Sequence, residues 1–462
     1  MTDGNKNIGF DSLIKGKDIL FLGIGGIGMS AIARYLLHKG CNVRGYDRTR
    51  TELTDTLSRE GVQITYDEQG FAVTDNDVVI YTPAIPKDNL LLTQAISKKV
   101  PLFKRSEILG MICGKYKTIA VAGTHGKTTI SGMIAHILAV SDVGCQAFLG
   151  GISKNFNSNV VIDDREPEFM VAEADEFDRS FLQLSPFFSI ISATSEDHLD
   201  IYGTKSNLLK SFEEFAEKTN KNGCLFMKYG LPIEPNPNCE VRTYALDNLE
   251  ADYYAWNVRL YNQKYYFDFH TPEKVYFDMA LTYPGRHNIE NSLVALAVCL
   301  ACGVKEEDIR KGLESFNGIK RRFDVVCRTN DTIYIDDYAH HPEEIAAFLQ
   351  SVKEFYPNKK ITCIFQPHLF TRTRDFLDNF ALSLELADEI LLLDIYPARE
   401  NPIKGVDSGV LFRKINKMNK YYLTKEQLLE LLPALQPEIL VSIGAGDIDK
   451  LIEPITNILK QE

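Results

Sequence analysis

Residues 117–140 read KTIAVAGTHGKTTISGMIAHILAV, and this stretch decides the fold. The run TIAVA has the length and apolar character of a buried strand. Gly123-Thr124-His125-Gly126-Lys127-Thr128-Thr129 follows as a loop, and the apolar periodicity after it is helical. Strand, glycine loop and helix in that order open a parallel α/β unit. Glycines let backbone N–H groups close around phosphate oxygens, and the helix N-terminus adds positive potential. Lys127 supplies a mobile positive charge for the outer phosphates, and the Thr128 hydroxyl suits Mg2+. Val121 stands where the general phosphate loop has its first glycine. The bland alternative, a tight turn between strand and helix, is disfavoured by GKTT in this setting.

Upstream, Lys17–Leu22 (KDILFL) reads as a buried strand and GIGGIGMSAIARYLLHKG as a glycine turn leading into a helix. Gly23-Ile24-Gly25-Gly26-Ile27-Gly28 fits GxGxxG, and Asp47 closes the next strand, CNVRGYD, near the distance expected for a ribose contact. Such a turn recognises a diphosphate and not nicotinamide, so it suits NAD and any other diphosphate alike. Two phosphate loops in one chain imply one nucleotide that reacts and a second phosphorylated ligand that is held.

Downstream, FMVA ends in Glu173-Ala174-Asp175-Glu176-Phe177-Asp178, and FFSIISAT is followed by Glu196-Asp197-His198-Leu199-Asp200. Carboxylates at a strand end, in the same domain as a phosphate loop, are placed to hold Mg2+. For most of these acids a solvated loop charge is the better reading. Residues 238–271, rich in Tyr, Val and Phe with partial alternation, read as antiparallel strands. From Gly318 a further series of strand–helix pairs follows. It carries Asp336-Asp337-Tyr338-Ala339-His340-His341 after TIYI and Gln366-Pro367-His368-Leu369-Phe370-Thr371-Arg372 after KITCIF. With Lys320-Arg321-Arg322, these clusters suit carboxylate and phosphate groups. The fold class is therefore α/β in three domains: a Rossmann-like one over 1–106, a central P-loop ATPase type with added antiparallel strands over 107–317, and a second Rossmann-like one over 318–462.

The 462 residues fit about three domains. A net charge of -12 argues against nucleic acid as a partner. The start lacks the pattern of a signal peptide and no run is long enough to span a bilayer, so a cytoplasmic protein without membrane insertion is expected. Nine scattered cysteines favour reduced thiols. Cys299 and Cys302 form one CxxC in an apolar helical run, where helix packing outweighs a metal or redox use.

Taken in order, GIGGIGMSAIA, AGTHGKTT, EADEFDRSFL, EDHLDIYG, GRHNIENSLVA, KRRFD, DDYAHHPEE, FQPHLFTRTRDF and IYPARENPIKGV resemble the Mur ligases over essentially the whole chain. The resemblance implies an ATP-dependent carboxylate–amine ligase of peptidoglycan precursor synthesis, joining L-alanine to the carboxylate of UDP-N-acetylmuramate through an acyl phosphate. By it, Gly25, Gly26, Gly28 and Asp47 face the UDP part. Gly123, Thr124, His125, Gly126, Lys127, Thr128 and Thr129 handle ATP phosphates, joined by His287, Asn291, Arg322 and Asp337. Thr128, Glu173 and His198 hold Mg2+, or Mn2+ in view of the histidine. Tyr338, His340, His368 and Arg372 line the amino-acid and acyl-phosphate region, and Lys127, His198, His340 and Arg372 form the catalytic set. A monomer or weak homodimer is expected. Leu369 departs from the family, standing where an Arg is frequent. Two rivals remain: a ligase adding a preformed peptide to the same UDP-sugar, and an NAD-dependent oxidoreductase resting on GxGxxG and Asp47.

Overall fold

The computed structural model describes residues 9–195, 202–234, 238–398 and 400–461. Three sheets organise them. The first holds β1 (Asp18–Leu22), β2 (Asn42–Tyr46), β3 (Gln63–Thr65), β4 (Asp77–Tyr81) and β5 (Leu102–Lys104). Their order is β3-β2-β1-β4-β5, and every pairing is parallel. The chain reverses direction across the sheet at β1, so the crevice beyond its carboxyl end is open to a ligand. GxGxxG occupies that end and leads into the helix Ile27–His38.

The second sheet is built from β6 (Lys117–Ala122), β7 (Gln146–Ser153), β8 (Ser158–Val161), β9 (Phe169–Glu173), β10 (Phe188–Ile191), β11 (Cys224–Lys228), β12 (Glu240–Ala245), β13 (Tyr253–Tyr261), β14 (Lys264–His270) and β15 (Val275–Leu281). Its order is β15-β14-β13-β12-β11-β10-β6-β9-β7-β8. Parallel neighbours β9 and β10 flank β6, whose residues are buried on both faces beyond Lys117. That double burial explains the unbroken apolar run in the sequence. The expectation of antiparallel strands over 238–271 needs a correction. β12 pairs parallel with both β11 and β13, because it continues the α/β part of the sheet. The hairpin begins only at β13 and β14, joined by Asn262 and Gln263 with φ of 50° and 56°, as a tight two-residue turn requires.

The third sheet contains β16 (Asp324–Arg328), β17 (Ile333–Asp337), β18 (Ile361–Phe365), β19 (Glu389–Leu392), β20 (Lys420–Tyr422) and β21 (Ile439–Ile443), in the order β16-β17-β21-β18-β19-β20. Only β16 is antiparallel to its neighbour.

The chain divides into two compact units. One comprises Met1–Arg259, Tyr266–Ala280 and Glu290–Asn317; the other comprises Leu260–Tyr265, Leu281–Ile289 and Gly318–Glu462. Within the first unit one apolar core runs from Phe21, Ile24 and Ile32 through Tyr35 and Phe148 to Met170, Phe181 and Phe212. Asn159, fully buried, ties the two parts together. Its amide donates to Ile27 O at 2.5 Å and Ser30 Oγ at 2.9 Å, and its Oδ1 accepts from Arg34 at 2.5 Å. The helix behind the first glycine loop is thus fastened to β8. The second unit has its own core of Tyr334, Ile364, Leu391, Leu440 and Ile455. All nine cysteines are free; Cys299 is buried in its helix, and burial pushes the thiols of both Cys299 and Cys302 far up. Among the described residues no helix is long and apolar enough to cross a membrane.

Candidate active site

The loop Gly123–Thr129 lies at the carboxyl end of β6. Gly123 and Gly126 have φ of 131° and 84°, which only glycine adopts without strain. The end of β10 braces the loop. Thr124 N–H donates to Ala193 O at 3.0 Å, Ser195 N–H donates to Thr124 Oγ1 at 3.0 Å, and Ser192 Oγ donates to the His125 carbonyl. Thr124, Thr128 and Thr129 are buried. No described side chain caps the helix Lys127–Val140, so its first-turn N–H groups keep their affinity for an anion. Asn291 stands against the loop; a methyl group on Gly126 would lie 2.8 Å from its Oδ1.

Lys127 does not extend into solvent. Instead it folds inward. Its Nζ donates to Gly123 O at 2.7 Å and to Glu176 Oε2 and Oε1 at 2.8 and 3.0 Å. Burial alone would depress its ammonium, but the carboxylates of Glu176, Glu173 and Asp175 outweigh that and hold it above the ordinary lysine value. The physical reason for the inward pose is the cluster of acids at the neighbouring strand end, where Glu173 is in register with Val121.

Glu173 Oε2 accepts the Gly150 N–H at 3.0 Å, and any side chain at Gly150 would overlap that carboxylate. Arg179 pairs with Glu214. Thr128 and Glu173 are hard oxygen donors of the kind Mg2+ takes alongside water and phosphate oxygens. His198 lies outside the described residues. Among the described residues, no group of three or more His, Cys, Asp or Glu gathers as a metal centre.

At the first loop, Gly25 N–H donates to Asp47 Oδ2 at 2.8 Å, while Asp47 Oδ1 accepts from Thr49 N–H at 3.0 Å. Asp47 therefore holds the glycine loop with one oxygen and its own turn with the other. Gly26 precedes the helix Ile27–His38, which again carries no side-chain cap. A methyl group at Gly28 would come within 2.6 Å of Arg105 Nη1, so a guanidinium sits against the first turn of that helix. Arg105 Nη2 is also 3.8 Å from Asp175 Oδ2.

The second unit assembles the remaining residues. The Asp337 carboxylate accepts Phe323 N–H at 2.6 Å and Ala339 N–H at 2.7 Å, clipping the turn that carries Arg322 to the end of β17. Burial pushes its carboxyl up to about 6, against the Arg322 guanidinium and those two bonds. Arg321 and Arg322 approach the Tyr338 ring at 5.2 and 5.3 Å. His340 Nδ1 donates to Tyr338 O at 3.0 Å, which leaves Nε2 as an acceptor. Burial, with Arg372 and Arg322, holds this imidazole below the ordinary histidine value, against the pull of Glu344. The His340 and His368 rings are 6.1 Å apart, and His368 stacks on Tyr396 at 5.9 Å. Between His368 and the helix bearing Arg372, Leu369 takes φ 73°, a strained conformation pinned by its N–H bond to Tyr396 O. His287 lies in this unit and is exposed.

Sequence reasoning missed Glu176, Gly150, Ser192 and Arg105. Each acts on a partner far along the chain, a contact that no local pattern reports.

Two glycine loops on parallel strands, one with a lysine and a carboxylate at adjoining strand ends, define a nucleotide-dependent α/β enzyme. The chain belongs to the Mur ligase family. It matches the Mur ligase family catalytic domain over residues 18–117, the Mur ligase middle domain over 121–299, and the Mur ligase glutamate ligase domain over 321–446. It is 46% identical to the UDP-N-acetylmuramate–L-alanine ligase of Parabacteroides distasonis, covering 96% of this chain and 97% of that one. The enzyme of the same name from Phocaeicola vulgatus is 44% identical over 96% and 99%. Among solved structures, the UDP-N-acetylmuramate-alanine ligase of Thermotoga maritima superposes with a TM-score of 0.82 at 28% identity, over 96% and 99% of the two chains. A murein peptide ligase from Psychrobacter arcticus shares the fold with a TM-score of 0.68 at 21% identity, over 97% and 99%.

Proposed function

We propose that the chain is an ATP-dependent ligase joining L-alanine to the carboxylate of UDP-N-acetylmuramate in peptidoglycan precursor synthesis. The carrying observation is 46% and 44% identity, over 96% of this chain, to relatives of that name. It favours this reading over a peptide-adding ligase and over an oxidoreductase.

A carboxylate does not condense with an amine at neutral pH, because its leaving group is poor. ATP converts it to an acyl phosphate with release of ADP; the free amine then attacks, and phosphate leaves from a tetrahedral intermediate. Lys127 and the backbone of Gly123–Thr129 stabilise charge on the transferring phosphoryl, with Asn291 beside them. Thr128 and Glu173, with His198, would hold Mg2+, which when bound neutralises phosphate charge. Gly25, Gly26 and Gly28 hold the UDP end, with Asp47 fixing the loop. In the second unit Asp337 shapes the turn of Arg322, and His287 and Arg322 serve ATP. His340, neutral and with Nε2 free to accept, takes a proton from the alanine ammonium. Tyr338, His368 and Arg372 position the amino acid and the acyl phosphate. The domains follow as 1–106 for UDP-sugar, 107–317 for ATP and 318–462 for the amino acid. Dependence on ATP and a nucleotide sugar suits the cytoplasm.

Phosphate release with ATP and UDP-N-acetylmuramate, measured while the amino acid is varied, tests this reading. L-alanine should stimulate release most. Release that responds to a preformed peptide and not to L-alanine would overturn it.

A further inference from the structure

We propose that Glu176 is a positioning residue of the nucleotide site, holding Lys127 back in the free enzyme and yielding it to the nucleotide phosphates. The inference rests on reading Gly123–Thr129 as the ATP loop.

Lys127 has three N–H donors and all three are engaged, one by Gly123 O and two by the Glu176 oxygens. The pair is shielded from water: the Glu176 side chain is 1% exposed and that of Lys127 14%. A buried carboxylate facing a buried ammonium is a strong, charge-assisted contact. It is also the contact a phosphate must replace before Lys127 can reach it.

Glu176 is held on a rigid base. Its carbonyl accepts Tyr202 Oη–H at 2.6 Å and Arg179 N–H at 2.9 Å. The short helix Phe177–Gln183 that follows it is anchored by Phe181, which stacks on Phe215 at 5.1 Å and packs edge-on to Phe212 at 5.6 Å. The loop on the other side is braced by Ser192, Ala193 and Ser195. With both walls fixed, the moving part is the lysine stem, four flexible methylenes carrying a point charge.

Two consequences separate this role from simple core packing. Nucleotide binding must break the Lys127–Glu176 pair and bring phosphate charge toward Glu176, so Glu176 weakens nucleotide affinity. When ADP has formed, Glu176 recaptures Lys127 and speeds release. Glu176 touches none of the three substrates in this scheme and acts through Lys127.

Calorimetry of ADP and of ATP, each with and without Mg2+, tests the proposal on the full chain. Glu176→Gln should bind both nucleotides about tenfold tighter, the scale of a charged hydrogen bond removed from the free state. Its KM for ATP and its kcat should fall together, as slow ADP release predicts. Glu176→Asp, which keeps the charge, should return affinity toward the parent. A folded Glu176→Gln chain that binds nucleotide as the parent does, or more weakly, would overturn the proposal. If that variant does not fold, crystal structures of the parent decide: Lys127 should leave Glu176 when ADP is bound, and an unbroken pair beside bound ADP contradicts the role. A parent chain that binds no ATP at all would instead overturn the reading of the loop, and this inference with it.

Discussion

The two glycine loops have the same backbone plan and opposite electrostatic designs. Each leaves a parallel strand, turns on glycine and enters a helix with no side-chain cap. The central loop carries its own cation, Lys127, and faces the acids Glu173, Asp175 and Glu176 across a strand end. The first loop carries none. Its Gly25 N–H is already taken by Asp47, and its cation, Arg105, comes from a distant part of the chain. A mobile lysine among acids suits a phosphoryl group that must be bound, transferred and released. A guanidinium against a fixed turn suits a diphosphate that is only held. On the proposed reading the glycine pattern marks phosphate binding, and the charges around it distinguish the reacting loop from the holding one.

The largest expected effect comes from removing the lysine. Lys127→Ala should lower turnover by about 10^2-fold or more while UDP-sugar binding, followed by calorimetry, stays near the parent value. Because Glu176 is then left buried and unpaired, chemical denaturation should also show a loss of about 3 kcal/mol. Near-normal turnover would remove the central loop from the chemistry. Next comes the acid opposite. Glu173→Gln keeps its shape and loses its charge, so the Mg2+ concentration for half activity should rise about tenfold, as loss of a charged oxygen donor implies. An unshifted Mg2+ titration would take Glu173 out of the site. Arg105→Ala probes the holding loop: KM for UDP-N-acetylmuramate should rise about tenfold, the scale of a charged hydrogen bond, with KM for ATP unchanged. A rise in the ATP value alone would reverse the assignment of the two loops.

The smallest effect serves as a control in the second unit, which carries neither loop. Asp337 has its carboxyl raised to about 6 in the fold, above the roughly 3.9 of a free aspartate. An acid with a raised folded value favours folding when protonated. Its contribution is therefore full at low pH and is lost as pH rises through about 6. Asp337→Asn should flatten that part of the stability curve between about pH 4 and 6 relative to the parent. Parallel curves for the two proteins would contradict it.

Much of this was legible in the sequence because the signals are local. TIAVA followed by GTHGKTT is a strand, a turn and a helix start in contiguous residues, and KDILFL with GIGGIG repeats the plan. The third sheet followed from strands ending in Asp337 and Phe365, which the structure places on either side of β21. What sequence could not report is long-range or depends on facing. β12 alternates enough to suggest antiparallel pairing, yet its neighbours make it parallel. Four acids crowd EADEFD, and which one meets Lys127 depends on the turn before Phe177. Phe181 anchors the turn that follows in the core, through Phe212 and Phe215, all distant in sequence. Asp47 has both oxygens on backbone N–H groups, a geometry that residue type alone does not reveal.

The central claim is that the central loop uses ATP to phosphorylate the carboxylate of a sugar whose UDP end the other loop holds. UDP-N-acetylmuramate labelled with 18O in its carboxylate tests it most directly. In the presence of ATP and L-alanine, the released phosphate should carry one 18O atom per turnover, because an acyl phosphate transfers a carboxylate oxygen to phosphorus. Phosphate released without label, at the same rate as the amide forms, would contradict the account.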